Sequence, residues 1–236
     1  MTVSVRPLCR DDIATSTRLH REVLEMEFLA RCGEGFLRSY HQAWVDSLDG
    51  IALAAVGQNG EIVGVLLGAV RPESHFRAML RGHWRKLAFW MVVRVVTSPR
   101  FAKELVTTRG IRYARGLFRM LATSVQHRGR AVARLLGGTK GTNLTGNPTT
   151  GAAVLRTGEV THAMVRPEAQ GKGVGRALLE AAENIARAAG LDELVLVTPP
   201  ELTAGKFYEH LGWQRAGELK SRSGEAFVRY RLTLHP

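Results

Sequence analysis

Residues 165–176 read Val165-Arg166-Pro167-Glu168-Ala169-Gln170-Gly171-Lys172-Gly173-Val174-Gly175-Arg176. An apolar run stops at a proline, passes through a glycine-rich turn and enters a helical pattern. Glycine removes the side chains that would hold a phosphate away from the backbone. The first amides of a helix have no internal partner, and the helix dipole adds partial positive charge to them. Lys172 and Arg176 add full charges. The chemistry these residues suit is the holding of a pyrophosphate. A P-loop is excluded, because no Lys-Ser/Thr follows the glycines. A dinucleotide fingerprint would place a third glycine where Arg176 stands. A tight strand-to-helix turn without a ligand stays open on the glycines alone.

The elements that must position this turn follow from periodicity. Short β-branched or apolar runs at 3–6, 51–56, 62–70, 160–165, 193–197, 214–219 and 226–234 read as strands. Asp11-Asp12 open a helix carrying Ile13, Leu19, Val23, Leu24 and Met26. Gly33 and Gly35 end it, and a second helix over 36–48 carries Phe36, Leu37, Tyr40, Trp44, Val45 and Leu48 on one face. Gln58-Asn59-Gly60 forms a hairpin turn. Residues 173–189 form an Ala/Leu-rich helix stopped by Gly190, and Thr203 caps a helix to Leu211. The order is βααββ, an interruption, then βαβαββ.

The pattern resembles the GNAT superfamily of acetyltransferases. The resemblance rests on Val165-Arg166-Pro167 followed by Gln170-Gly171-Lys172-Gly173-Val174-Gly175, and on the later helix end Tyr208-Glu209-His210-Leu211-Gly212-Trp213. It is firm over 159–236, loose over 1–70, and does not cover the middle. It implies a single α/β domain with a mixed, mostly antiparallel twisted sheet flanked by helices, and a helical insertion between the third and fourth strands. It implies acetyl-CoA as co-substrate, no metal, and a primary amine as acceptor, an amino sugar or other small amine. The backbone of Gln170, Gly171, Lys172, Gly173, Val174, Gly175 and Arg176 would hold the pyrophosphate, and Met164 and Val165 the pantetheine arm. Glu159 is the first candidate for general base and His162 the second. On a regular strand they face opposite sides, so only one serves unless the strand bulges. Tyr208 matches the general acid that protonates the leaving thiolate. Where the family often has Asn seven residues before this Tyr, this chain has Glu201.

The chain has 236 residues and a net charge of +12. Residues 71–137 hold thirteen arginines and two lysines against Glu73 and Glu104, a local charge of +13, so the remainder carries −1. With 45% hydrophobic and 23% charged residues, wholesale disorder is excluded. Two cysteines, Cys9 and Cys32, are too few for a disulfide framework or a cysteine zinc site. No apolar run approaches the ~20 residues of a membrane span, and the first residues do not read as a signal peptide. The insertion, residues 71–150, is read as two basic helices broken at Ser98-Pro99. Arg77, Arg81 and Arg85 share one face of the first, with Trp84, Leu87, Phe89, Trp90, Met91 and Val93 over much of the rest; Arg112, Arg115 and Arg119 line the second, opposite Ile111, Phe118 and Leu121. Residues 137–151 read as loop. Arginine beside aromatic faces suits an anionic membrane surface contacted by 76–136; a lid or homodimer contact is the plainer reading. The expectation is a cytoplasmic protein, peripheral at the membrane through this insertion. A nucleic-acid-binding protein and a CoA sensor without turnover are the rival functions; no nucleic-acid motif accompanies the charge.

Overall fold

The computed structural model describes residues 3–25, 27–105, 155–200, 204–220 and 226–234. Residues 1–94 with 155–236 form one compact unit, and residues 95–154 a second. Of the second basic helix, read from Phe101 to about Gln126, residues 106–126 lie outside the described residues, as do the loop 137–151, Glu201 and Thr203.

The first unit is a seven-stranded sheet. Its strands are β1 (Ser4–Pro7), β2 (Gly50–Val56), β3 (Ile62–Ala69), β4 (Thr157–Val165), β5 (Glu193–Thr198), β6 (Gln214–Lys220) and β7 (Ala226–Thr233), in the order β1-β2-β3-β4-β5-β7-β6. Every pairing is antiparallel except β4 with β5. The helices are α1 (Ile13–Val23), α2 (Phe28–Arg31), α3 (Glu34–Val45), α4 (Pro72–Thr97), α5 (Pro99–Glu104), α6 (Val174–Ala188) and α7 (Ala204–His210). The mixed sheet flanked by helices, with α4 and α5 between β3 and β4, is the architecture expected from the sequence.

One face of the sheet packs on α6. Ile51, Leu53, Leu66, Val160 and Leu194 from the strands meet Val174, Leu178, Leu179, Ala182 and Ala186 from the helix in one apolar cluster. Gly64 and Gly158 let the layers approach closely, since a Cβ at either position would lie within 3.0 Å of side chains from α6, the turn after it or β5. The opposite face carries α1 and α3.

Two helices differ from the sequence reading. α3 ends at Val45, because Ser47 and Gly50 close a turn (Gly50 N–H to Ser47 C=O, 3.1 Å), and Leu48 sits fully exposed at its tip. Short α2 has no periodic signature in four residues. The break at Ser98 falls as read: α4 stops at Thr97, and the Ser98 hydroxyl accepts the Phe101 amide at 3.4 Å to cap α5. Arg77, Arg81, Arg85, Trp84 and Phe89 are exposed along α4. Toward its C-terminal end Trp90 lies against Gly35, where a side chain would clash with the indole, and Arg94 Nε donates to Arg31 C=O at 2.9 Å.

Candidate functional site

The glycine turn is built for close approach. Gly171 and Gly173 both take positive φ, 69° and 83°, and a Cβ at either would meet nothing within 4 Å. Backbone sterics, not crowding, therefore require these glycines, and the space in front of them is open. Gly173 caps α6; the first bond to reach back is Ala177 N–H to Gly173 C=O at 3.0 Å, which leaves the amides of Val174, Gly175 and Arg176 without an intrahelical acceptor. Val174 is buried in the core and fixes the helix end from below. Gly175 has a different reason: a Cβ there would stand 3.2 Å from Phe207 of α7. Gln170 is tied inward on both counts. Its amide donates to Pro167 C=O at 3.2 Å and its side-chain Nε2 to Val165 C=O at 3.1 Å, so the free amides begin at Gly171. Lys172 and Arg176 are exposed, and Arg176 Nε donates to Glu180 at 2.9 Å.

Beside this turn β4 and β5 part. Their parallel ladder runs only from Thr157↔Glu193 to Val160↔Leu196, while β4 continues to Val165 and β5 to Thr198. Residues 161–165 thus have an edge unpaired with β5, and Met164 and Val165 lie along it. Met164 itself is fully buried.

The separation starts at a bulge. Leu67 pairs with His162 and Gly68 with Val160, so Thr161 is the extra residue. On β3, Ala69 and Leu67 point to one face; their partners on β4 are Glu159 and His162. The bulge therefore brings Glu159 and His162 to the same side of the sheet, the side of α1 and α3, where a regular strand would oppose them. Gly68 makes this possible, since a Cβ there would lie 2.6 Å from the Glu159 carbonyl.

Glu159 is half-buried. Burial pushes its carboxyl above the ordinary range, against the opposing pull of Arg229. His162 is buried, and its Nε2 shares a hydrogen bond of 3.0 Å with Tyr40 Oη. Burial lowers the imidazole to about 4, so it is neutral near pH 7. Burial raises the Tyr40 phenol. Around these lies a polar cluster with no motif spacing in the sequence. His20 Nδ1 meets His41 Nε2 at 3.0 Å, His41 Nδ1 meets Ser16 Oγ at 2.9 Å, and Glu27 faces both His20 (3.4 Å) and His162 (3.7 Å). Burial would raise Glu27, but the imidazoles outweigh it and hold the carboxyl below its ordinary value. Burial holds His41 well below the usual imidazole range.

Tyr208, on α7, packs among Phe207, Trp213 and Tyr230 with ring centroids 5.4, 6.1 and 5.7 Å away. Burial first, and the neighbouring Tyr230 second, raise its phenol, so the proton stays on. The Tyr208 carbonyl accepts the amides of Leu211 and Trp213, which locks the turn at Gly212 (φ 84°) behind it. An open cleft of about 550 Å³ lined by Arg18, Arg21, Glu22, Glu25, Arg31 and Arg94 holds none of the residues singled out above.

A family profile described as an acetyltransferase (GNAT) domain matches residues 142–234. No curated relative matches the sequence. Among solved structures, the ribosomal-protein-S18-alanine N-acetyltransferase of Escherichia coli is similar, with TM-score 0.53 and 12% identity over 100% of this chain and 96% of that one. A spermidine N-acetyltransferase chimera from Vibrio cholerae gives 0.56 and 13% over 99% and 96%. Ard1 from Thermoplasma volcanium gives 0.53 and 11% over 100% of both chains. At these identities the likeness is one of fold.

Proposed function

Because residues 142–234 match an acetyltransferase (GNAT) profile and the fold is that of the GNAT structures it resembles, we propose that the chain transfers an acyl group from acyl-CoA to a primary amine by direct attack. The observation that carries the reading is the turn at Gly171 and Gly173, where two left-handed residues open onto free space ahead of the α6 amides. CoA pyrophosphate rests on the amides from Gly171 to Arg176, with Lys172 and Arg176 beside it. The pantetheine arm follows the edge of β4 that β5 leaves unpaired, along Met164 and Val165; the Val165 carbonyl, already bonded to Gln170, contributes less than its neighbours.

In the reaction the amine nitrogen forms the new C–N bond as the acyl C–S bond breaks, and the electron pair leaves on sulfur. Glu159 takes the proton from the amine; its raised affinity for a proton brings it nearer neutrality, where a general base works best. Tyr208 gives its proton to the sulfur, and its buried phenol is protonated until well above neutral pH. His162 is the weaker candidate for base. Its Nε2 is engaged with Tyr40 and its proton affinity is low. We assign it to positioning. A small amine, a polyamine, an amino sugar or a peptide N-terminus is the acceptor. The exposed arginines and aromatic residues of α4 support contact with an anionic surface.

Calorimetry with CoA tests the reading. One molecule binds per chain, and Gly173→Val weakens binding at least tenfold while circular dichroism stays unchanged. Thiol release from acetyl-CoA in the presence of an amine panel then identifies the acceptor. No heat with CoA, or binding indifferent to Gly173→Val, overturns the assignment.

A further inference from the structure

The polar cluster between α1, α3 and β4 has two self-consistent proton arrangements. With the Ser16 hydroxyl proton on the Ile13 carbonyl (3.1 Å), the Ser16 oxygen accepts from His41 Nδ1–H at 2.9 Å and His20 Nδ1–H donates to His41 Nε2 at 3.0 Å. The His20 Nε2 lone pair then faces the Glu27 carboxylate at 3.4 Å, and a cation must sit between them. With the hydroxyl proton on His41 Nδ1 the chain reverses and His20 Nε2–H points at Glu27.

Two further facts favour the first, with a metal ion as the cation. His20 Nε2 and His162 Nδ1 are both buried without a hydrogen-bond partner among the described residues. Their side chains are 0% and 6% exposed, and both nitrogens face the same carboxylate. A single proton would satisfy His20 Nε2 and leave His162 Nδ1 stranded 3.7 Å from Glu27. A metal ion would satisfy all three atoms at once. The three ligand atoms lie within 4.8 Å of one another. Bonds of about 2.0–2.2 Å from imidazole and carboxylate to tetrahedral zinc put neighbouring ligands roughly 3.3–3.6 Å apart, close to the 3.4 and 3.7 Å that separate Glu27 from His20 and His162.

We propose that His20 Nε2, Glu27 and His162 Nδ1 form a binding site for a divalent transition ion of the zinc type. Two imidazoles and one carboxylate suit that class, and three protein ligands leave a fourth position for water. The ligands come from α1, from the residue that precedes α2 and from the bulged strand β4, so the ion ties together the face of the sheet that carries Glu159. The supporting shell is in place: Ser16 and His41 hold the tautomer of a ligating His20, and a ligating His162 donates Nε2–H to Tyr40 Oη. Glu27 is 40% exposed, which gives the ion a way in. The proposal departs from the sequence expectation of no metal, and nothing in it depends on acyl transfer.

The test uses the full, untagged chain dialysed against chelator. Zinc titrated by calorimetry binds with one high-affinity equivalent and raises the unfolding temperature, and cobalt in its place gives the visible absorption of a four-coordinate site. Glu27→Gln and His162→Gln each weaken binding at least tenfold; Ser16→Ala, which touches no ligand atom, weakens it by about ten- to a hundredfold. Folding of each variant is checked by circular dichroism, and Glu27→Gln, at a half-exposed position, retains the fold. Absence of a stoichiometric equivalent overturns the proposal and leaves a proton shared between His20 and Glu27. Binding that persists unchanged in both Glu27→Gln and His162→Gln also overturns it, by placing the ion on other histidines. Neither outcome touches the CoA assignment, which is read by a different ligand.

Discussion

The two faces of the central sheet use burial in opposite ways. Under α6 the strands present Leu53, Leu66, Val160 and Leu194 to Val174, Leu178 and Ala182, and among the described residues that cluster holds no histidine and no charged side chain. Under α1 and α3 the same strands present Glu159 and His162 to Tyr40, His41, His20 and Ser16, all buried or half-buried. The first face gains stability from every apolar contact. The second withdraws polar groups from water, which costs stability wherever a partner is missing. Thr161, inserted at the middle of β4, brings both Glu159 and His162 to this second face. The apolar frame sits on one side of β4 and the imidazole–carboxylate cluster on the other, while Tyr208, whose phenol is also raised, packs against the frame.

The largest effect that would break this contrast is at Glu159. Glu159→Gln removes the proposed base and lowers kcat/KM about a hundredfold to ten-thousandfold. It acts on stability in the opposite direction. The folded carboxyl holds its proton more tightly than the unfolded one, so its contribution is fully present below the unfolded value of about 4.3 and is lost as pH rises through the folded value. At pH 8 the Gln variant therefore unfolds at a higher temperature than the parent, while at pH 4 the two coincide. In the parent, the acid limb of kcat/KM lies above the range of an ordinary carboxylate. A variant that loses stability at pH 8 would mean that Glu159 belongs to the frame.

On the apolar face the same comparison predicts pure destabilisation. Leu178 is fully buried, and Leu178→Ala leaves a cavity costing about 2–5 kcal/mol. Urea unfolding reads this as a lower midpoint with an unchanged slope, and CoA affinity is retained under conditions where the variant is folded. Tyr40→Phe, across the sheet, removes one hydroxyl and one hydrogen bond. It costs about 1–2 kcal/mol and alters the pH profile of turnover more than the unfolding midpoint. Equal losses from these two substitutions would erase the distinction between the faces.

The apolar face was readable in the sequence because each element carries its own period. Residues 173–189 repeat Leu and Ala every three or four positions, and Gly190 follows with φ 70°. The glycine turn was readable because glycines at Gly171 and Gly173 have a local backbone reason. The polar face was not. His20, His41 and His162 are distant in sequence, and only the packing of α1 and α3 on β4 brings them together. The bulge was hidden as well, since Thr161-His162-Ala163 reads as regular strand. Its signal lay on the neighbouring strand, in Gly68, a glycine inside an apolar run. The sequence reading left Glu159 and His162 as alternatives, and the bulge puts them on one side.

The smallest effect concerns the rim of the turn, where frame and site meet. Arg176 is exposed and paired with Glu180 one helical turn on, at 2.9 Å. Such a pair contributes about 0.3–0.5 kcal/mol at most, so Arg176→Ala shifts the unfolding midpoint by no more than that. For affinity, Arg176 must leave Glu180 before it meets a phosphate, whereas exposed Lys172 has no such partner among the described residues. Lys172→Ala therefore weakens CoA binding more than Arg176→Ala does, and Glu180→Ala, which frees the arginine, strengthens it slightly. Calorimetry at low and moderate salt reads all three, with the differences shrinking as salt screens the exposed charges. A larger loss from Arg176→Ala than from Lys172→Ala would show that the guanidinium already faces the phosphate site, and that the Glu180 contact is only the resting place of a mobile side chain.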